Sequence, residues 1–216
     1  MTTARGFLQL LKTKDDCAKY MDYFDLIIEE IDRANSIITE FLSMAKNKKI
    51  DLVKCNLNSV IKALSPLIQA DAAIYDKSVD IIYGDISDLL LDEKEIRQLI
   101  LNLVLNGLEA MENRGVLTIR TFSEQNEITL YVKDQGKGIS SEILEKLGTP
   151  FFTTKEKGTG LGLAICYSIA ARHNAIIDVK SSPQGTTFVV RFKLPHSQSV
   201  VGQIPSSGHL PKPLRK

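Results

Sequence analysis

The run Gly158-Thr159-Gly160-Leu161-Gly162-Leu163 places three alternate glycines at the start of an apolar segment, and no other stretch restricts the chain's possible folds as much. Without side chains at Gly158, Gly160 and Gly162 a backbone can approach an anion, and the helix that follows offers unpaired N–H groups and a partial positive charge. The preceding Thr149-Pro150-Phe151-Phe152-Thr153-Thr154-Lys155 reads as a polar, lid-like connection rather than a strand. A dinucleotide fingerprint would need glycine three residues after the second one, directly behind a strand, and residue 163 is leucine. The phosphate-loop ending Gly-Lys-Ser/Thr is also missing. Alone, the run predicts contact with phosphate and nothing finer.

A second signal lies in residues 96–111, where Gln98, Asn102 and Asn106 are set among positions that are mostly Leu, Ile and Val. Their i, i+4, i+8 spacing makes one polar stripe on a helix whose remaining faces would be buried against a sheet. A buried amide without a partner costs roughly 1–3 kcal/mol, so the stripe implies either something to bind or a satisfied core network of asparagines. An amide oxygen also suits a hard cation such as magnesium, which keeps most of its waters and shares substrate phosphates.

The third signal is Asp134-Gln135-Gly136-Lys137-Gly138-Ile139, at the end of the alternating strand 128–133. A carboxylate there can accept a hydrogen bond from an exocyclic amine, and Gly136 and Gly138 would leave room for a flat ring. The same residues also read as ordinary turn chemistry.

Taken in chain order, the three segments resemble the N, G1, F and G2 boxes of the ATP-binding domain of sensor histidine kinases, in the superfamily shared with gyrase-type, chaperone-type and mismatch-repair ATPases. The resemblance runs from about residue 52 to residue 195 and closes on Gly185-Thr186-Thr187-Phe188. It implies an α+β fold, a two-layer sandwich of a mixed sheet and helices of the Bergerat type. Upstream, Arg5-Gly6-Phe7-Leu8-Gln9-Leu10-Leu11 and a helix over 23–46 are similar to the dimerisation region of sporulation-type kinases, so a helical hairpin remnant precedes the sandwich.

The resemblance also implies roles. Asp134, beside Gly136 and Gly138, would bind adenine, and Asn106 would ligate magnesium. Gly158, Gly160 and Gly162 would meet the phosphates, with Thr154, Leu161 and Thr186 completing the ATP site. Asn102 would support that site, and Lys155 would reach the triphosphate from a mobile lid; these two are the candidate catalytic residues. Hydrolytic relatives carry a water-activating glutamate at the position of Asn102, and an amide cannot take that proton. The implied reaction is therefore phosphoryl transfer to a protein side chain, with cations and loop donors stabilising charge. Arg97 is a further cation to follow, unless it is only a solvated helix charge.

Such kinases carry a phosphoacceptor histidine, usually in His-Glu-x-x-Asn-Pro, just before the segment matching Thr2-Thr3-Ala4-Arg5. This sequence begins at Met1, and His173, His196 and His209 are not followed by an acid. The expectation is a kinase engine without its own acceptor, either part of a longer protein or acting in trans. His173 reads as a cationic cap at a helix end. Implied partners are a response regulator or phosphorelay protein and a second copy of the chain through the N-terminal helices. A nucleotide-binding regulator of the same fold, or an anti-sigma-like serine kinase, is the alternative.

Composition agrees without adding much. The 216 residues, 44% hydrophobic, suit one substantial domain and a smaller element. Interspersed charges, 27 basic against 26 acidic, give no basic stripe for nucleic acid or membrane. No apolar run approaches the roughly 20 residues of a membrane span, and no signal peptide is legible, so a cytoplasmic segment is expected, free or as the cytoplasmic part of a membrane-bound sensor. Cys17, Cys55 and Cys166 lack ligand-like spacing and read as free thiols.

Three regions follow: a hairpin over 1–49, an ATP-binding domain over 50–195 with its lid at 140–157, and a disordered tail over 196–216. In the second helix Tyr20, Phe24, Ile27, Ile31, Ala34, Ile38, Phe41 and Ala45 form a heptad seam, which either packs on the catalytic domain or pairs with a second chain. A hinge is expected at 47–49. Helices are expected at 58–75, 93–111 and 160–172, and strands at 79–83, 89–91, 116–122, 128–133, 176–180 and 187–194.

Overall fold

The computed structural model describes residues 2–45, 50–112, 114–155 and 158–194. The expected hinge at 47–49, the end of the lid at Lys157 and the tail with His196 and His209 lie outside the described residues.

Helix α1 (Thr2–Lys12) turns back through a 3-10 segment (Asp15–Tyr20) into α2 (Met21–Ala45). Ion pairs Arg5–Asp32, at 2.8 Å, and Lys12–Asp25 tie the two helices. Much of the seam on α2 is uncovered: Tyr20, Ile27, Ile38 and Phe41 are all more than two-fifths exposed, whereas the neighbouring Ile37 packs against the core of the sandwich. The side chain of Ala45 lies outside what is described.

A two-stranded ribbon comes next, β1 (Val53–Cys55) antiparallel to β3 (Leu89–Leu91). Nothing in the sequence marks β1, because three residues cannot show alternation and the partner lies far along the chain. Between them, α3 (Leu57–Ile74) starts at Asn56, whose side chain accepts the Asn58 N–H at 3.0 Å. The helix continues through Pro66 because Leu57, Val60, Ile61, Leu64, Ile68 and Ala72 are buried along one face. That burial outweighs a proline penalty of about 3 kcal/mol.

The main sheet has the order β2 (Ser78–Ile82), β4 (Val116–Glu124), β5 (Glu127–Lys133), β7 (Gly185–Lys193), β6 (Ala175–Ser182). Only β2 and β4 run parallel. The β4–β5 hairpin turns at Gln125 and Asn126, both with positive φ, as a tight two-residue connection requires. Alternate residues Leu117, Ile119, Leu130, Val132, Phe188, Val190 and Phe192 are buried, and α3, α4 (Glu93–Ala110) and α6 (Gly162–Arg172) pack against the sheet. The result is the expected α+β sandwich, with α2 resting on α6.

Besides β1, two details differ from the sequence expectation. A short helix, α5 (Ser141–Leu144), lies within the lid region, and α6 begins at Gly162 rather than Gly160. Gly160 has φ of 69°, a left-handed conformation that no right-handed helix can include. Among the described residues, no helix is long and apolar enough to cross a membrane.

Candidate functional site

A cavity of about 650 Å³ opens between α4, the ends of β5 and β7, the lid and the start of α6. Its lining includes Asn102, Asn106, Asp134, Gly138, Thr154, Lys155, Gly158, Gly160, Gly162 and Thr186, ten of the twelve residues the sequence nominated. Gly136 and Leu161 do not line it. Leu161 is wholly buried, and Gly136 sits under the C-terminal end of α4.

Asp134 directly follows β5 and is 3% exposed. Its Oδ1 accepts two backbone N–H bonds, from Gly136 at 2.8 Å and from Thr186 at 3.0 Å, and the Asp134 N–H returns a bond to the Thr186 carbonyl at 2.9 Å. These commit Oδ1 to the backbone and fix the carboxyl. Desolvation pushes its pKa above the ordinary carboxylate value, with the bonds from Gly136 and Thr186 acting against the rise.

The glycines serve reasons the sequence did not distinguish. A Cβ on Gly136 would lie 2.5 Å from the Ala110 carbonyl oxygen, and one on Gly138, where φ is 73°, would lie 2.0 Å from that of Ser182. The direction in which a side chain would project is therefore filled by backbone at both, although Gly138 itself still lines the cavity. A Cβ on Gly160 would strike the Phe151 backbone at 2.4 Å, and one on Gly158 the Thr153 hydroxyl at 2.5 Å, so these two let the lid fold on itself. At Gly162 the nearest atoms would be those of Asn102, 3.9 Å away. Gly162 alone of the three leaves open room beside the first turn of α6, where helix N–H groups lack intrahelical partners.

On α4, Asn102 Nδ2 donates to the Gly162 carbonyl at 3.1 Å, tying that helix to α6. Asn106 Oδ1 faces the lid and accepts from Lys155 Nζ at 2.8 Å. Lys155 also pairs with Glu109, which lines the cavity and was not among the nominated residues. Its signal was present: position 109 follows Asn106 by three, the spacing that puts two side chains on one face. Gly107 was missed as well. A Cβ there would meet Leu117 at 2.5 Å and Asp134 Cβ at 3.3 Å, so this glycine lets α4 approach the strand that carries the acid. A glycine inside an apolar helix, costing about 1 kcal/mol against alanine, was the available clue.

Arg97 does not reach the cavity. It pairs with Glu93 one turn back, at 2.6 Å. His173 is a cap, though not a cationic one: Nε2 accepts the Asp92 N–H at 3.0 Å, so Nδ1 carries the proton and donates to the Ile169 carbonyl at 2.9 Å. Those two bonds fit the neutral ring. Cys166 is buried under Asn102 with its thiol pushed up to about 12 by desolvation. Among the described residues no cluster of three or more His, Cys, Asp or Glu is placed to hold a metal.

A mixed sheet covered by helices, with a buried acid at a strand end, asparagines on the facing helix and a glycine-rich lid running into a helix start, defines an ATP-binding sandwich. Residues 91–196 match the family described as Histidine kinase-, DNA gyrase B-, and HSP90-like ATPase. The chain is 35% identical over 193 residues to sporulation kinase C of Bacillus subtilis, an alignment covering 88% of this chain and 45% of that protein. Against sporulation kinase D of the same organism it is 36% identical over 201 residues, covering 92% and 40%. The catalytic domain of histidine kinase ThkA superposes with a TM-score of 0.61 at 29% identity, over 67% of this chain and 96% of that one. The structure of ThkA in complex with response regulator protein TrrA superposes at 0.67 and 26% identity, over 88% and 56%. The chain belongs to this ATPase family, and its sandwich is a sensor histidine kinase ATP-binding domain. It spans less than half the length of the sporulation kinases it matches.

Proposed function

We propose that this chain is the catalytic region of an ATP-dependent protein-histidine kinase in a two-component system, with a dimerising hairpin over 1–49 and an ATP-binding domain over 50–195. The observation that carries it is the Asn102 bond to Gly162 at 3.1 Å. An amide that donates to a carbonyl holds the position from which a carboxylate would activate water, so the site protects ATP from hydrolysis. The named kinases among its relatives support this reading over a non-catalytic regulator.

In this reading Asp134 Oδ2 accepts the adenine amine while Thr186 and Gly136 hold the carboxyl, and Gly138 borders the base. The first turn of α6 from Gly162, with Gly158, Gly160 and Thr154 of the lid, offers hydrogen-bond donors to the phosphates. Lys155 follows them as a mobile counter-charge. The residues fit magnesium: Asn106 Oδ1 already accepts from a cationic group, the Lys155 ammonium. When bound there, magnesium would neutralise charge on the phosphates. The acceptor is a histidine presented by a partner or by a hairpin, and buried His173, with both ring nitrogens engaged, is not it. The uncovered seam on α2 supports a homodimer, and the ThkA complex supports a response regulator as the downstream partner. The segment works in the cytoplasm, with no role for nucleic acid.

The chain, given radiolabelled ATP and magnesium, should label a histidine-bearing dimerisation hairpin of a sporulation kinase with acid-labile phosphate. Acid-stable label on serine, or a histidine hairpin left unlabelled by a chain that binds ATP, would overturn the kinase assignment.

A further inference from the structure

The lid lysine sits on two oxygens of α4. Asn106 Oδ1 accepts from Lys155 Nζ at 2.8 Å, and Glu109 pairs with the same ammonium. The two acceptors are three residues apart, on one face of α4, and both line the cavity that also holds Asp134 and Gly162. A neutral amide oxygen and a carboxylate that share one ammonium are a pair of hard oxygen donors around a cation-sized position. From that placement we infer that Glu109 is a positioning ligand for the divalent cation, acting with Asn106 either directly or through the metal's water, and that Lys155 keeps the place until the cation enters.

The chemistry favours the exchange. Lys155 and Glu109 are each about two-fifths exposed, and ion pairs so close to solvent contribute little. A divalent ion brings twice the charge and prefers carboxylate to an amide alone. Once it is bound, two positive charges cannot share the same two oxygens, so the ammonium is released toward the developing charge on the phosphates. Glu109 thus couples metal entry to release of Lys155. Without a metal the same carboxylate repels the triphosphate, so its effect on ATP affinity changes sign with magnesium.

This rests on the ATP-site reading above, and the test separates the two. ATP is titrated calorimetrically into the full chain, with magnesium and again with EDTA, for the wild type, Glu109→Gln, Glu109→Asp and Lys155→Met. A wild type that binds ATP in neither medium refutes the ATP site itself. With ATP bound, Glu109→Gln should lower the ratio of magnesium to EDTA affinity about tenfold, and Glu109→Asp should recover part of it. The glutamine effect should persist in the Lys155→Met background. Equal change in both media, or an effect that vanishes without Lys155, would reduce Glu109 to a partner of the lid lysine and overturn the inference. Glu109 is exposed, so these variants fold as the wild type does.

Discussion

Phe41 of α2 and Phe151 of the lid stack with ring centroids 5.9 Å apart and planes inclined by 30°. Phe151 has a left-handed φ of 67°, and its N–H donates to the Gly160 carbonyl at 3.1 Å. The helical hairpin therefore touches the nucleotide lid at a residue whose backbone is already constrained. Phe41→Ala should raise amide exchange in the described part of the lid while moving the global unfolding free energy by no more than about 1 kcal/mol, since aromatic pairs contribute about 0.5–1.5 kcal/mol and this one is half exposed. Unchanged exchange between residues 149 and 155 would show that the contact does not hold the lid.

Gly160 and Gly162 should respond in opposite ways to one methyl group. Gly160→Ala forces a left-handed alanine against the Phe151 backbone, at a cost on the order of 1–3 kcal/mol, and should weaken ATP binding by about tenfold or more through loss of the lid conformation. Gly162→Ala meets only Asn102, at ordinary contact distance. Its thermal midpoint should stay at the wild-type value, and any loss should appear in phosphate affinity alone. Comparable melting temperatures combined with equal ATP affinities in the two variants would contradict this assignment.

Asp134→Asn tests the adenine contact without emptying the space. An amide oxygen can still accept from Gly136 and Thr186, so stability should change by less than about 1 kcal/mol, while the new NH2 group opposes the adenine amine and lowers ATP affinity by about 10- to 100-fold. The pH dependence follows from the raised carboxyl pKa. The folded protein holds this proton more tightly than the unfolded chain, so its contribution favours folding below the ordinary carboxylate range and is lost as pH rises through the raised value. Adenine recognition runs the other way: it is complete above the raised value and falls as the carboxylate protonates. ATP affinity should therefore drop on acidification more steeply than that of inosine triphosphate, whose ring carries oxygen in place of the amine. Parallel pH profiles for the two nucleotides would remove Asp134 from the adenine contact.

The cysteines should separate by reactivity. Cys166 is fully buried, donates to the Leu99 carbonyl and is held as thiol to about pH 12, whereas Cys17 and Cys55 are only half-buried. Iodoacetamide at pH 8 should modify Cys17 first and then Cys55, whose thiol is raised by burial and by the nearby Glu93 and Asp88 carboxylates. Cys166 should react only after denaturant is added. Its modification in the native protein, read by peptide mass, would mean that α6 opens from α4 far more readily than its packing allows.

Sequence alone located most of the elements and most of the nominated residues that line the cavity. Asn102 and Asn106 were legible because four-residue spacing on an apolar helix has only one geometric meaning, and Asp134 because a strand that alternates to its end fixes where its last acid points. The alternation of 116–122, 128–133 and 187–194 likewise marked three strands with one buried face each, whereas their order in the sheet came only from the fold. Tertiary structure decided what each short-range rule leaves degenerate. Position 136 is glycine because of Ala110 and position 160 because of Phe151, contacts made across distant segments; glycine spelled in a sequence does not say which neighbour requires it. Arg97 fell to Glu93, and Lys155 fell to Asn106 and Glu109, because a long charged side chain takes the partner that folding brings within reach. The glycine run announced phosphate contact by itself, but only the packed molecule separates Gly158 and Gly160, which fold the lid, from Gly162, which faces the cavity with room to spare.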